Sequence, residues 1–368
     1  MADLPKSVTI FDETMREGLQ IEDKDIPVAQ KLRLLDALGE TGVQLINIGS
    51  FGSPKWCPQM ANIDEVAESF IPKPGVIYTA STFNPRGLER VQKYYPKINN
   101  SNVRYRTRWD LSDTFLKRNF NVTTEQEIAR WPDAIKRAKE EGETIGRVQV
   151  GSPWGCNFEG DIPQERVMRA LQMQIDLWHE NGFKVTTATF ADATGWNMPH
   201  RVRRTLEAVR EKWPEITEIE CHFHNTRGVA MASYYEALQV GAQIFSTCLG
   251  GMGGCPYCGN GRAAGLPPTE DFVNLCEEMG IETGLKLDKL IEAVAIAEEI
   301  VGHPLWGHVS KAGPLPRGEK IYPKDLPFIE TLEEAAHFRK GPSVCAHQMA
   351  PWKEYPDSPI AKALTGRS

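Results

Sequence analysis

The chain has 368 residues, of which 41% are hydrophobic, 25% are charged and 9% are aromatic, and its net charge is −7. This composition is typical of a soluble enzyme, and the negative charge gives no reason to expect nucleic acid or an anionic membrane as a partner. The N-terminus lacks the apolar segment of a signal peptide, and no apolar run reaches the length of a membrane span. The eight cysteines show no disulfide spacing. We therefore expect a cytoplasmic protein with a small-molecule substrate.

The hydrophobic pattern alternates between strand-like and helix-like segments along most of the chain. Short apolar runs predict strands at residues 7–11, 43–48, 76–81, 103–109, 145–150, 184–190, 216–223 and 243–249. Amphipathic segments predict helices at residues 27–41, 63–70, 88–94, 113–141, 163–179, 199–213, 229–240, 269–279 and 285–301. Eight strand–helix units with short connections indicate a parallel sheet that closes into an α/β, (β/α)8 TIM barrel.

An open doubly wound sheet is the alternative to a closed barrel. The glycine-bearing stretch after the first strand counts against the open sheet, because it lacks the spacing of a dinucleotide-binding fingerprint. We assign residues 1–284 to the catalytic barrel and 285–368 to a C-terminal helix with an irregular extension. The extension could be a lid, a subunit-binding arm or a loosely packed tail. In a barrel, the loops that follow the strands meet at one rim, so the polar residues on them should converge.

The seventh predicted strand ends in two histidines, His222 and His224. Because residues two apart in a strand point to the same side, the two imidazoles share a face and could begin a metal site. An isolated His-x-His is more often a pair of hydrogen-bonded polar residues. A second segment, directly after the first strand, supplies Arg16 and the carboxylate Glu17, and it favours the metal site.

The chain resembles a known family over roughly residues 7–300. The segments that show this are Arg16-Glu17-Gly18-Leu19-Gln20, Gly49-Ser50-Phe51-Gly52-Ser53-Pro54-Lys55-Trp56, Gly155-Cys156-Asn157-Phe158-Glu159-Gly160, His222-Phe223-His224 and Gly253-Gly254-Cys255-Pro256-Tyr257. In these motifs the chain is similar to the 3-hydroxy-3-methylglutaryl-CoA lyase branch of the metal-dependent TIM-barrel lyases and Claisen-condensing enzymes.

The resemblance implies a set of functional residues. It implies that Glu17, His222 and His224 hold a divalent cation, Mg2+ or Mn2+, which suits carboxylate and imidazole ligands. It implies that Arg16 steadies a developing enolate oxygen, that Cys255 moves a proton on a flexible loop, and that Asp192 takes part in deprotonating a hydroxyl. It places Gln20, Ser50 and Asn84 in the substrate pocket. Asn47 and Arg227, two positions near the expected metal site, are added to the candidates for substrate contact.

Simpler interpretations stand beside these roles. Glu17 could pair with Arg16 alone, and Asp192 could cap the turn that follows its strand. Cys255 and Cys258 form a Cys-x-x-Cys pair, which elsewhere indicates redox chemistry or zinc. Cys156 and Cys221 are most simply packing residues.

The chain also departs from the family pattern. Glu17 stands where the family usually has Asp, and Asn47 stands where it has a glutamate in the second strand, which removes a charge beside Arg16. The loop at residues 261–265 lacks the asparagine that the family uses as a metal ligand, and Asn260 could replace it only if the loop shifts. Arg227 adds positive charge near the expected metal site and favours a substrate with an additional carboxylate or with different polar groups.

Three functions are compatible with these residues. The first is a metal-dependent lyase that cleaves a carbon–carbon bond in a 3-hydroxy acid or its CoA thioester, giving an acetyl-type product and a keto product. The second is an acyl-CoA-dependent condensing transferase acting on a 2-oxo acid, and the third is a non-catalytic barrel. Cys255 favours the lyase, whereas Glu17 leans towards the condensing enzyme. The resemblance further implies a homo-oligomer.

Overall fold

A computed structural model of the protein describes residues 4–83, 85–99, 105–256, 258 and 264–321. Eight strands in these ranges form one parallel sheet. They are β1 (Thr9–Asp12), β2 (Leu45–Ser50), β3 (Ile77–Ser81), β4 (Arg106–Asp110), β5 (Ile145–Gly151), β6 (Lys184–Asp192), β7 (Glu218–Phe223) and β8 (Ile244–Thr247). The hydrogen-bonded order is β3-β2-β1-β8-β7-β6-β5-β4. At the β3 end of this order, the amide of Asn99 donates to the carbonyl of Tyr78 at 2.7 Å. The predicted TIM barrel is confirmed.

Helices follow the strands in the order the sequence predicts. They are α1 (Val28–Glu40), α2 (Ile63–Ser69), α3 (Pro85–Gln92), α4 (Asp113–Phe120), α5 (Thr124–Ile128), α6 (Trp131–Glu140), α7 (Gln164–Glu180), α8 (Pro199–Lys212), α9 (Ala230–Gln239), α10 (Thr269–Glu278), α11 (Leu287–Val301) and α12 (Val309–Ala312). A short antiparallel hairpin, Gly155–Cys156 with Gly160–Asp161, lies in the loop after β5.

The helical region predicted at residues 113–141 is helical, but it is divided into three helices. The division occurs because Asn121 ends α4 in the left-handed conformation at φ 54°. Thr123 and Gln126 then form a capping box that begins α5. Ser112 caps α4, since its hydroxyl accepts a hydrogen bond from the amide of Phe115.

An aromatic cluster fixes β7 and β8 behind the histidine pair. The hydroxyl of Tyr234 accepts the amide of Phe223 at 3.3 Å and donates to the carbonyl of Ser246 at 2.6 Å, so one side chain joins the two strands. The ring of Tyr234 also packs on Phe245 and Phe272 with centroid distances of 5.0 and 5.1 Å. Buried aromatic pairs of this kind stabilise a fold by more than the burial of their apolar area alone, so we expect the end of β7 to be rigid.

The barrel interior below the histidines is polar. Glu218 and Glu220 alternate with buried residues on β7, so both share the face of His222. Thr189 of β6 donates to Glu220 at 2.6 Å, and a guanidinium nitrogen of Arg106 lies 3.9 Å from the same carboxylate. The interior therefore places opposite charges directly beneath the candidate site.

The described part of the C-terminal region packs against the barrel. Arg33 of α1 pairs with Glu299 of α11 at 2.8 Å, and the amides of Trp306 and Gly307 donate to the carbonyl of Gly250. Within the described ranges, no helix is both long enough and apolar enough to cross a membrane. The division at residue 285 and the role of the extension stay predictions, and residues 322–368 lie outside the described part.

Candidate metal and substrate site

A tight turn after β1 positions Glu17. The carbonyl of Glu13 accepts hydrogen bonds from the amides of Arg16, Glu17 and Gly18, so the chain forms a π-helical turn over Thr14–Gly18. Buried Asp12 supports the start of this turn by accepting the Thr14 amide at 2.9 Å. The turn directs the Glu17 carboxylate into the barrel mouth, where only 2% of the residue is exposed.

The two imidazoles lie beside this carboxylate. Ligand atoms of Glu17, His222 and His224 all lie within 4.8 Å of one another, and they form a group that could hold a metal ion. Nε2 of His224 is 3.6 Å from Oε1 of Glu17. Nδ1 of His224 lies 2.7 Å from the carbonyl of Ala264, so this nitrogen carries the proton and Nε2 keeps its lone pair towards Glu17.

Both histidines are neutral at physiological pH. Burial lowers the pKa of His222 well below its usual range, and His224, Arg16 and Arg106 lower it further. Burial lowers the pKa of His224 to about 4, against the hydrogen bond to Ala264. A neutral imidazole is the form that binds metal, so the donor set fits a divalent cation.

Arg16 and Gln20 both contact the Glu17 carboxylate. A guanidinium nitrogen of Arg16 pairs with Oε2 of Glu17, and the Gln20 amide donates to Oε1. The same amide nitrogen donates to the carbonyl of Gly254 at 3.0 Å. Gln20 thus joins the carboxylate to the loop of Cys255. The ion pair between Arg16 and Glu17 exists, and it coexists with the convergence of the histidines.

Glu13 is not among the residues predicted from the sequence. Nδ2 of Asn47 donates to the Glu13 carboxylate at 3.0 Å and to the Ser81 hydroxyl at 2.9 Å. Burial raises the pKa of Glu13 to about 7, while the Arg16 charge lowers it. A carboxyl group therefore lies beside Asn47, at the point where we expected a loss of charge. Its sequence signal was its position directly after β1.

Asp192 is fully buried at the end of β6. One carboxylate oxygen accepts the Thr194 amide at 3.2 Å, and the other accepts the Asn197 side chain at 2.8 Å. Asn197 also donates to the carbonyl of His224, so Asp192 is linked to the histidine strand. Burial raises its pKa to about 6, against the hydrogen bonds that it accepts. The carboxylate caps its turn, and its catalytic role stays a prediction.

Cys255 lies in a small apolar cluster on the loop after β8. The cluster contains Phe115 and Cys258, with Phe158 and Ala193 packed against it. Cys156 does more than pack, because its sulfur lies 2.9 Å from the Ser112 hydroxyl and accepts the amides of residues 158 and 159. Cys221 is buried in the main core, as expected.

Among the remaining candidates for substrate contact, the structure describes Ser50 and Arg227. Ser50 is buried at the end of β2. The guanidinium of Arg227 donates to the carbonyls of Thr194 and Gly195, at 3.0 and 2.8 Å, and to the Asn157 side chain. The described hydrogen bonds of Arg227 thus go to loops, and its role in binding substrate stays a prediction. Asn84 and Asn260 lie outside the described residues.

A (β/α)8 barrel with one carboxylate and two neutral imidazoles at its C-terminal rim defines a class of divalent-metal barrel enzymes. A model of the HMGL-like family matches residues 7–296. The chain is 34% identical over 301 residues to hydroxymethylglutaryl-CoA lyase YngG of Bacillus subtilis, covering 82% of this chain and 95% of that protein. It is 32% identical to (R)-citramalyl-CoA lyase of Chloroflexus aurantiacus, covering 84% and 96%. The protein belongs to the HMGL-like family.

Solved structures agree with this assignment. An HMG-CoA lyase from Acinetobacter baumannii, in complex with coenzyme A and 3-methylmalate, has a TM-score of 0.73 at 29% identity, covering 88% of this chain and 99% of that one. The HMG-CoA lyase of Bacillus subtilis has a TM-score of 0.71 at 32% identity, covering 84% and 98%. The predicted family and barrel are therefore confirmed.

Proposed function

We propose that the protein is a divalent-metal-dependent lyase that cleaves a carbon–carbon bond of a 3-hydroxyacyl-CoA into an acetyl-type product and a keto product. The observation that carries the proposal is the convergence of Glu17, His222 and His224 on a barrel of the HMGL-like family. Relatives named hydroxymethylglutaryl-CoA lyase and (R)-citramalyl-CoA lyase support the direction and the substrate class.

In this proposal Glu17, His222 and His224 hold Mg2+ or Mn2+. The carboxylate suits a hard cation, and the proton on Nδ1 of His224 leaves Nε2 available as a ligand. When bound, such a cation supplies Lewis-acid polarisation of the substrate oxygens.

The side chains of this chain supply the proton and charge chemistry. Asp192 accepts the proton of the substrate hydroxyl, so the carbon that bears it becomes a carbonyl as the adjacent carbon–carbon bond breaks. The electron pair of that bond passes to the acetyl-type fragment as an enolate, whose oxygen Arg16 stabilises. The Cys255 thiol then gives its proton to the enolate carbon.

In this proposal, the residues that contact the substrate are Gln20, Asn47, Ser50, Asn84 and Arg227. Gln20 has the strongest structural support, because its amide already joins the Glu17 carboxylate to the Gly254 carbonyl. A ligand that enters between them would compete for the same donor. A cytoplasmic location and a homo-oligomer are further expectations.

The proposal is tested by measuring CoA-product and keto-product release from hydroxymethylglutaryl-CoA and citramalyl-CoA. We expect turnover that chelation by EDTA abolishes and that Mn2+ or Mg2+ restores. His222→Ala and His224→Ala should each lose at least about 100-fold in activity. Removing a residue that only orients a metal ligand costs up to about 100-fold, and removing the ligand itself should cost at least as much. His179→Ala, which removes an exposed histidine of α7, is the matched control and should retain activity.

Other outcomes would contradict the proposal. Turnover that is indifferent to both EDTA and Cys255→Ala would exclude the mechanism. Release of free thiol from acetyl-CoA mixed with a 2-oxo acid, without cleavage of either hydroxyacyl-CoA, would instead support the condensing enzyme. Absence of Mn2+ binding in calorimetry would support the non-catalytic barrel.

A further inference from the structure

Two thiols lie together on the loop after β8. The amide of Cys258 donates to the carbonyl of Cys255 at 3.4 Å, which brings the two residues into the geometry of a tight turn. Both side chains belong to the cluster around Phe115, and the exposed fractions of Cys255 and Cys258 are 6% and 3%. The Cys258 thiol donates to the carbonyl of Ala193 at 3.0 Å, so that carbonyl holds its sulfur in the cluster.

This geometry suits a covalent link between the two sulfurs. A turn closed by a bond between residues three apart holds its end Cα atoms within about 7 Å, and disulfides span about 4.4–6.8 Å. The described cysteines have no disulfide, and of these seven only Cys255 and Cys258 belong to this cluster. The pair is thus placed to react internally.

We propose that Cys255 and Cys258 form a reversible disulfide when the protein meets a peroxide. The Cys255 sulfur, after losing its proton, attacks one peroxide oxygen; the O–O bond breaks, giving a sulfenic acid and, with a proton, one water. The Cys258 sulfur then attacks the sulfenic sulfur, the S–S bond forms and the S–O bond breaks. The departing oxygen takes the Cys258 proton and leaves as a second water. Two electrons pass from the thiols to the peroxide.

The surroundings of the two thiols assign their order. The neighbouring Cys255 thiol raises the pKa of Cys258 well above its usual range, and burial and the charges of Asp192 and Asp110 raise it further. A thiol that holds its proton reacts slowly with peroxide, because the thiolate is the nucleophile. The Cys258 thiol is also held by its hydrogen bond to the carbonyl of Ala193, at 3.0 Å, which keeps its proton on the sulfur. We therefore assign Cys258 as the thiol that resolves the sulfenic acid and Cys255 as the thiol that forms it.

The effect on activity rests on the proposed function, in which Cys255 donates a proton. The disulfide would remove that proton and stop turnover until a thiol reductant restores it. It would also spare Cys255 from sulfinic acid, which does not revert under ordinary reductants.

The test is mass spectrometry of the full-length protein treated with hydrogen peroxide. The tryptic peptide of residues 228–262 contains Cys248, Cys255 and Cys258, so fragment ions must locate the modification. We expect this peptide to lose two hydrogens, with the bond between Cys255 and Cys258, and dithiothreitol to reverse the change. In Cys258→Ala, the same treatment should instead place one or two oxygens on Cys255. Cys57→Ser, the matched control, should form the disulfide as the wild type does.

Oxidation of Cys255 to sulfinic acid in the wild type, or no change at either cysteine, would overturn the inference. If Cys258→Ala does not fold, iodoacetamide labelling of the wild type before and after peroxide gives the same answer, since both cysteines must lose labelling together. If the disulfide forms and turnover continues, the role of Cys255 in the proposed function is wrong, while this inference stands.

Discussion

Glu13 and Asn47 form a buried pair beside Arg16. The amide of Asn47 is fully used, because Nδ2 donates to Glu13 and Ser81 while Oδ1 accepts the amide of Gly49. Replacing one member of such a pair leaves the other without its partner, and that cost exceeds the contribution of the bond itself. The carboxyl group at position 13 and the amide at position 47 should therefore be interchangeable only together.

We expect Asn47→Glu to destabilise the protein by about 1–3 kcal/mol, because it places a second carboxyl group beside Glu13, whose carboxylate lies 3.0 Å from the Asn47 amide. Combining it with Glu13→Gln restores one carboxyl and one amide. The double variant should recover at least about 1 kcal/mol, as expected for residues in contact. Urea unfolding of the four proteins of this cycle measures the coupling. If Asn47→Glu costs the same in the Glu13→Gln background as in the wild type, the pair is not coupled.

The sequence predicted the three candidate ligands, because strand periodicity places His222 and His224 on one face and the barrel topology brings Glu17 to the same rim. It did not reveal Glu13. Periodicity describes which side of a strand a residue faces, whereas the contact between Glu13 and Asn47 depends on the π-helical turn that follows β1. That turn results from hydrogen bonds to the carbonyl of Glu13, which the periodicity of side chains does not describe.

At the scale of elements, the loop after β8 packs directly against the turn after β1. Gly253 has a φ of 97°, and a β-carbon there would lie 2.4 Å from the carbonyl oxygen of Glu17. Only glycine allows this approach, since the backbone of Glu17 cannot yield without moving its carboxylate. Gln20 adds a second contact between the two segments, because its side chain donates to the carbonyl of Gly254. The loop of Cys255 and the turn of Glu17 therefore behave as one unit.

We expect Gly253→Ala to cost about 1–3 kcal/mol through backbone strain and to weaken Mn2+ binding as well. Gly280→Ala is the matched control, because Gly280 also has a positive φ, 75°, but nothing within 4 Å of an added β-carbon. It should lose stability and keep its affinity for Mn2+. Chemical unfolding and Mn2+ titration calorimetry separate the two effects. Equal Mn2+ affinity in both variants would show that the loop does not position Glu17.

Element boundaries were predictable where the pattern was strongly periodic, as in α7 and β7. The break within residues 113–141 was not, because a left-handed asparagine and a capping box interrupt a segment whose apolar spacing continues across them. Local hydrogen bonding at Asn121 and Thr123 decided the outcome there.

At the scale of the whole molecule, Glu270 connects the barrel to the C-terminal segment. One carboxylate oxygen accepts the amide of Gly250 at 3.0 Å, while the other is buried and faces Gly307. Burial raises the pKa of Glu270 to about 8, and the charge of Asp271 adds to the effect. The native protein therefore holds a proton at Glu270 that the unfolded chain, with a pKa near 4.5, has already released.

This difference makes stability depend on pH. Between a pH of about 4.5 and about 8 the native state binds more protons than the unfolded state at Glu270, so its contribution to the free energy of unfolding falls as pH rises. The buried histidines act in the opposite direction only below their usual pKa of 6.5, because they are neutral in the native state. In the window from about pH 6.5 to about pH 8, Glu270 and Glu13, whose pKa values are raised by burial, lower the free energy of unfolding as pH rises. Burial lowers the pKa of His303, but its contact with Glu22 raises that pKa above the usual value, so His303 contributes with the same sign. Only a comparison with a Glu270 variant therefore separates the effect of Glu270.

We expect Glu270→Gln to flatten this dependence. Relative to the wild type, the variant should gain at most about 2 kcal/mol in unfolding free energy between about pH 6.5 and about pH 8, since each pKa unit corresponds to about 1.4 kcal/mol. Urea unfolding in EDTA-containing buffer across this range measures it without interference from bound metal. Glu278→Gln, which removes a carboxylate of the same helix that pairs with Arg317, should leave the slope unchanged. A slope in Glu270→Gln equal to that of the wild type would mean that Glu270 is charged in the native state and that the C-terminal segment does not seal it from water.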